Sequence, residues 1–250
     1  MTKSSCFFAN RRQFLDGLAA GLALAAAPTA AFAQASSLSS MTIATIGSGR
    51  EGGALGTMFA KLGHPVLFSS RHPEELKDLV AAAGPTARAG TTAEAVAFGQ
   101  VILLVVPYPA IEQIGQEFGA ALAAKPLILD VSNPIPARDG QDLVNRVASE
   151  GGPGLVTAKL LKGARVVRAF NAINYKLLDA GARQAAGPIG VPIAGDDAKA
   201  IDLASRLIRE ASFEPVLVGD LAKGKYLVPG TPVGGQHTPD ELRRLAATLN

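Results

Sequence analysis

The chain has 250 residues, 48% of them hydrophobic and 18% charged. That is a globular composition, far from the polar, highly charged range in which chains stay disordered. The formal net charge is +3. Lys3, Arg11 and Arg12 against Asp16 put +2 of it in residues 1–33, which leaves +1 for the rest. Charge-driven binding to nucleic acid or to an anionic membrane is therefore excluded as the main activity. With no Trp and three Tyr, stacking platforms for single strands are scarce too. The single cysteine is Cys6, so residues 34–250 offer no disulfide, zinc–cysteine site or thiol nucleophile.

Residues 1–33 read as an export signal. Asn10-Arg11-Arg12-Gln13-Phe14-Leu15 precedes a Gly/Ala/Leu run, and Ala31-Phe32-Ala33 supplies a small-x-small cleavage site. The paired arginines followed by Phe-Leu resemble the twin-arginine signal, and the apolar stretch is short for a bilayer span. The expectation is cleavage after Ala33, a polar linker over 34–40 and a periplasmic protein. An N-terminal membrane-anchoring helix is the alternative.

From residue 41 the chain alternates short apolar runs with amphipathic segments. Strands are expected over 41–46, 66–69, 101–106, 127–130, 165–170, 191–194 and 213–218. Helices are expected over 52–62, from Pro73, over 91–98, 111–124 and 198–210, and over 239–249. Asp196-Asp197 suits a helix N-terminus better than a metal pair. The alternation predicts an α/β, Rossmann-type doubly wound, mainly parallel sheet. We divide it into a dinucleotide-binding domain over 41–171 and a C-terminal extension over 172–250 that completes the sheet and the acceptor site. Residues 228–239 are expected to form a loop.

Gly47-Ser48-Gly49-Arg50-Glu51-Gly52 is G-x-G-x-x-G, placed after an expected strand and at the start of an expected helix. In that context the glycines make the tight turn, admit a pyrophosphate to the backbone and let helix and strand pack closely. Free N–H groups at the helix start then face the phosphates. The second strand ends in Ser69-Ser70-Arg71-His72, where an NAD-binding chain carries a carboxylate for the ribose 2′-hydroxyl. Hydroxyls and a guanidinium suit a 2′-phosphate instead, so NADP is the expected cofactor. Ser48 can add a further hydroxyl. Against this, Arg71 as a solvated surface residue and His72 as a turn residue are the plain readings.

Ile46-Gly47-Ser48-Gly49, Gly52-Gly53-Ala54-Leu55-Gly56, Gly63-His64 and Ser69-Ser70-Arg71 resemble the NADP-binding fold of NADPH:deazaflavin (coenzyme F-420) oxidoreductases. The same fold occurs in the six-transmembrane metalloreductases and in pyrroline-5-carboxylate reductases. Val105-Val106-Pro107, Asp130, Asn133-Pro134, Val166-Val167-Arg168-Ala169-Phe170-Asn171 and Val191-Pro192-Ile193-Ala194-Gly195-Asp196-Asp197 extend the resemblance over about residues 41–235. It implies Ser48, Ser70 and Arg71 as 2′-phosphate contacts. It implies Val106, Pro107 and Tyr108, and the stretch with Asn171, Ile173 and Tyr175, as segments flanking the nicotinamide. Glu51 departs from the family, which usually has an apolar residue there; a carboxylate at that helix start faces the pyrophosphate unfavourably unless it turns away or pairs with Arg50. The membrane and haem parts of the metalloreductases and the dimerisation domain of the pyrroline-5-carboxylate reductases are absent from the resemblance.

The resulting expectation is an NADP(H)-dependent oxidoreductase with a flavin or deazaflavin co-substrate or another two-electron acceptor. Such a hydride transfer needs no catalytic side chain. The alternatives are a reductase of a small carbonyl or imine and a non-catalytic nucleotide-binding module. The carbonyl or imine reaction needs a proton donor, for which Tyr175, Lys176 and Tyr226 are candidates. Asn133 and Asn171 can orient a carboxamide or the acceptor. His64 is expected to be structural, and His237 has no evident partner. The ligand should lie across the carboxyl ends of the strands, with the 226–236 loop folding over it. The expected partners are a small-molecule electron acceptor and a second copy of the chain in a homodimer, with no nucleic acid and no membrane after signal cleavage.

Overall fold

The computed structural model describes residues 38, 40–179, 185 and 187–249. The export signal over 1–33 and most of the 34–40 linker lie outside the described residues. No helix among the described residues is long and apolar enough to cross a membrane.

Short apolar runs build the sheet because strands buried on both faces need no polar alternation. These are β1 (Ile43–Ile46), β2 (Val66–Ser69), β4 (Val101–Leu104), β5 (Leu127–Asp130) and β6 (Val166–Arg168), all fully buried. β3 (Ala87–Gly90), β7 (Gly190–Gly195) and β8 (Glu214–Gly219) complete it. The strand order is β3-β2-β1-β4-β5-β6-β7-β8. Every pairing is parallel except β6 with β7. The first six strands thus follow the doubly wound order, which reverses between β1 and β4 and opens a crevice there. The antiparallel step lets the last two strands extend the sheet on its β6 side.

Alternate residues of each strand face opposite layers. Ile43, Phe68, Leu103 and Leu129 pack with Leu55 and Phe59 of α1 (Arg50–Lys61) and with Leu203 and Leu207 of the helix Ala198–Glu210. Ala44, Leu67, Ile102 and Ile128 pack on the other side with Ile111 and Leu122 of the helix Ala110–Ala123. α2 (Lys77–Ala83) follows a 3-10 turn at Pro73–Leu76, and α3 (Thr92–Phe98) opens on a capping box between Thr91 and Glu94. α4 is Ala110–Ala123. α5 (Pro136–Asp139), α6 (Gln141–Ser149) and α7 (Pro153–Leu160) form an unforeseen helical connection. α8 is Ala198–Glu210, capped by Asp197, whose side chain accepts from the N–H groups of Lys199 and Ala200. α9 (Pro239–Ala246) closes the chain.

Three expectations change. β3 is a strand beyond those expected: Ala87 and Ala89 are half-buried, Arg88 is exposed and lies over the Phe98 ring, and Gly90 is buried, so it shows no apolar run. The apolar run at 101–106 leaves the sheet after Leu104, where its next residues line the crevice. The 226–236 loop packs Leu227 and Val233 against Val216 and Leu242 and does not line the crevice.

Gly56 brings α1 onto the sheet. A β-carbon there would overlap the ring of Phe68, which is fully buried, and crowd Thr45. Gly56→Ala is expected to cost about 1–3 kcal/mol by overpacking, read from urea unfolding.

Candidate functional site

A cleft of about 390 Å³ opens at the carboxyl ends of β1, β4, β5 and β6. That volume lies within the usual range for small-molecule sites. The glycine turn forms one wall. Gly47 has φ +93°, and a β-carbon on Gly47 or Gly52 would overlap backbone carbonyls. At Gly49, by contrast, a β-carbon would meet nothing within 4 Å and would project into open space. No side chain caps the start of α1. The N–H groups of Arg50, Glu51 and Gly52 have no carbonyl one turn earlier within the helix. A bare turn, open space above it and uncapped amides fit a bound pyrophosphate.

The opposite wall comes from Val105, Val106 and Pro107 after β4, from Val131, Ser132, Asn133 and Ile135 after β5, and from Phe170, Asn171 and Ile173 after β6. A buried polar network fixes it. Arg168 and Asp130 are both fully buried and paired at 2.7 Å. Arg168 also donates to the Ser132 carbonyl at 2.9 Å and to Asn133 Oδ1 at 2.9 Å. Asn133 Nδ2 then donates to the Asn171 carbonyl at 2.6 Å, and Asn171 Nδ2 donates to the Asp130 carbonyl at 3.0 Å. Ser132 receives the Val106 N–H at 3.3 Å and donates to the Leu104 carbonyl at 3.2 Å. Gly154 and Gly224 lie against the Arg168 side chain, whose Cδ a β-carbon on Gly224 would approach to 2.7 Å. Phe170 holds φ +61°, costly for a bulky residue, at the bend into the cleft.

Polar atoms without a partner mark where a ligand fits. Asn171 Oδ1 and Ser69 Oγ are buried without a hydrogen-bond partner, and Asn171 lines the cleft. Glu51 also lines it. Its Oε1 is buried without a hydrogen bond, and burial pushes its carboxyl up to about 7.

Of the residues singled out in the sequence, Gly47, Gly49, Arg50, Glu51, Gly52, Val106, Pro107, Asn133, Asn171 and Ile173 come together in this cleft. Ser48 sits in the turn, its Oγ 2.7 Å from Thr45 Oγ1. Ser69, Ser70 and Arg71 follow at the end of β2, beside β1. Ser70 Oγ accepts from the His72 N–H at 3.0 Å. Arg71 is exposed, with no ion pair or hydrogen bond among the described residues.

Two residues lie elsewhere. Tyr108 is buried, its hydroxyl donates to the Pro153 carbonyl at 2.9 Å, and burial pushes its pKa up, above the ordinary tyrosine value. Tyr175 lines a separate groove of about 690 Å³ with Lys176, Thr57 and Lys61. His64 is fully buried between the Met41 carbonyl at 3.0 Å and Glu210 at 3.1 Å, a structural tie. His237 Nε2 is buried without a partner.

Sequence reasoning missed Arg138, which lines the cleft, donates to the Asn133 carbonyl at 2.8 Å and pairs with Asp139 at 2.7 Å. The signal was Pro136, which opens α5 from the N1 position. It also missed the Arg168–Asp130 pair, because two charges in apolar strands announce a partner only once the strands are known to be neighbours.

Residues 42–134 match the family model described as NADP oxidoreductase coenzyme F420-dependent. No curated protein matches the chain. Among solved structures, a hypothetical protein from Sinorhizobium meliloti is 28% identical, with a TM-score of 0.66 over 80% of this chain and 96% of that one. A provisionally assigned F420-dependent NADP-reductase from Arthrobacter sp. FB24 is 21% identical, with a TM-score of 0.62 over 74% and 87%. An imine reductase from Bacillus cereus is 19% identical, with a TM-score of 0.53 over 74% of this chain but 57% of that one. The chain therefore has a Rossmann-type fold whose segment 42–134 carries the pattern of an NADP oxidoreductase family.

Two outcomes follow from the site's electrostatics. Arg168→Met strands a buried carboxylate and is expected to cost about 3–5 kcal/mol in urea unfolding. The raised Glu51 lowers stability as pH climbs from its unfolded value of 4.5 through about 7, because only the unfolded chain ionises freely in that window. Glu51→Gln is therefore expected to match the parent below pH 4.5 and to exceed it above pH 7 by on the order of 1 kcal/mol, with partial exposure allowed for.

Proposed function

We propose that the protein is an NADP(H)-dependent oxidoreductase that passes hydride between the nicotinamide and a flavin- or deazaflavin-like or other two-electron acceptor in the same cleft. The observation that carries this reading is the uncapped glycine turn facing a cleft whose far wall is fixed by Asn133 and Asn171. Arg50, Glu51 and Gly52 offer backbone N–H groups to the pyrophosphate. Ser48, Ser70 and the exposed Arg71 supply hydroxyls and a guanidinium for the 2′-phosphate. Asn171 Oδ1 offers an acceptor to a carboxamide N–H. Bound NADPH would supply the hydride; the protein sets distance and orientation and keeps water out. The family pattern over 42–134 supports the same cofactor and acceptor class.

A second reading, reduction of a small carbonyl or imine, is favoured by one observation. Glu51 is a cleft carboxyl that burial holds near neutrality, so it can supply the proton that such a reaction consumes. The N-terminal pattern supports export by the twin-arginine route to the periplasm, with the dinucleotide bound before export and retained. Dinucleotide found by mass spectrometry in protein purified from the periplasm bears this out; empty protein contradicts it.

Arg71→Asp is expected to weaken NADPH at least tenfold while leaving NADH within about threefold, since one charge-assisted contact is worth roughly 1.5–3 kcal/mol. Fluorescence titration with both dinucleotides reads the ratio, and equal losses contradict the assignment. NADPH oxidation with a deazaflavin, a flavin, a cyclic imine and a small ketone then separates the two readings.

A further inference from the structure

Glu51 occupies a position where the proposed ligand is most negative. It stands directly before the third glycine of the turn, Gly52, in the first turn of α1, and lines the cleft. Of the two escapes open to a carboxylate at this place, one is used in part and the other is unused. It turns only partly out to solvent, since the residue is half-buried with Oε1 buried and unpartnered, and it makes no ion pair with Arg50 among the described residues.

Glu51 has no ion-pair partner among the described residues. The glycine turn brings Arg50 as well as Glu51 to the cleft, while the Val105–Pro107 segment and the wall segments at 131–135 and 170–173 bring only neutral groups. Arg138 is the cation that α5 presents, and its guanidinium is already bonded to both carboxylate oxygens of Asp139. Arg50, on the same helix as Glu51, is exposed. Arg168 lies in the network behind the wall and is paired with Asp130. Ionised, Glu51 would hold a half-buried negative charge with no ion-pair partner beside a dianionic pyrophosphate. Neutral, its carboxyl gains an O–H that can donate to a phosphate oxygen.

We propose that Glu51 is a ligand-binding residue that acts in its neutral acid form, so that dinucleotide binding selects the protonated site and takes up a proton wherever the free site is ionised. This rests on the reading of the cleft as an NADP(H) site and adds to it a pH dependence of affinity. The 2′-phosphate works the other way. Its second ionisation, near pH 6, favours binding as pH rises, so a loss of affinity at alkaline pH cannot come from the ligand.

The test is calorimetric titration of the full wild-type chain with NADPH at pH 7.5, in two buffers of different ionisation enthalpy, and affinity measurements from pH 7 to 8.5. With a free carboxyl near 7, uptake of roughly three-quarters of a proton per site is expected, and Kd should rise about fifteenfold over that range. Glu51→Gln should take up no proton and hold a flat Kd, binding at pH 8.5 about as tightly as the parent does at pH 7. NADPH binding with no proton uptake and a flat Kd in the parent overturns the proposal and leaves the cofactor reading standing. Uptake that survives in Glu51→Gln also overturns it, by assigning the proton to another group. No binding at any pH overturns the cofactor reading itself, and the proposal with it.

Discussion

The cleft exists because two full charges are buried together. Arg168 and Asp130 come from neighbouring strands, β6 and β5, in register. Their pairing places a five-donor guanidinium under the carboxyl ends of the sheet, where it reaches Ser132 and Asn133 as well. Burying such a pair is of uncertain net benefit to stability, and an apolar replacement can pack as well or better. What the pair provides here is geometry. It ties the ends of β4, β5 and β6 together through Ser132, Asn133 and Asn171, so the wall opposite the glycine turn is rigid before any ligand arrives. A hydride transfer that depends on distance and orientation needs such a wall.

The glycine turn is the complementary half. Its backbone is exposed to the cleft because Gly47 and Gly52 cannot carry side chains without overlapping the backbone, and because Gly49 leaves its surroundings open. Polar groups therefore converge on one place, donors from the uncapped amides on one side and the acceptor Asn171 Oδ1 from the fixed wall on the other. Glu51 is the exception in this set. An acid in that position is tolerated at neutral pH only at a cost in folding stability, and that cost links protonation to whatever the cleft binds.

Much of this was legible from the chain. The apolar runs gave β1, β2, β4 and β5 because strands buried on both faces have no other way to read. G-x-G-x-x-G located the turn, and the missing carboxylate after β2 pointed to the cofactor. What escaped notice had physical reasons. β3 lies at the sheet edge and is held by Gly90 and a stacked Arg88, with no apolar pattern to betray it. α5, α6 and α7 have four, nine and eight residues, too short for periodicity to declare them among the glycines at 140, 151 and 152. Tyr108 looked like a cleft residue from its place after Pro107, yet the chain turns into α4 there and carries its ring into the core. Tyr175 follows the cleft residues by two positions but belongs to a 3-10 turn facing α1 from the other side. In both cases adjacency in sequence was a poor guide, because a turn reverses which face a neighbour meets.

The central claim is that the bare turn at the start of α1 holds the pyrophosphate of a 2′-phosphorylated dinucleotide. The most direct test is a crystal structure of the protein grown with NADP+. The account predicts diphosphate density against the amides of Arg50, Glu51 and Gly52, a 2′-phosphate at Ser70 and Arg71, and a nicotinamide beside Asn171. Density elsewhere on the molecule, or an empty turn in crystals grown at saturating dinucleotide, would contradict it.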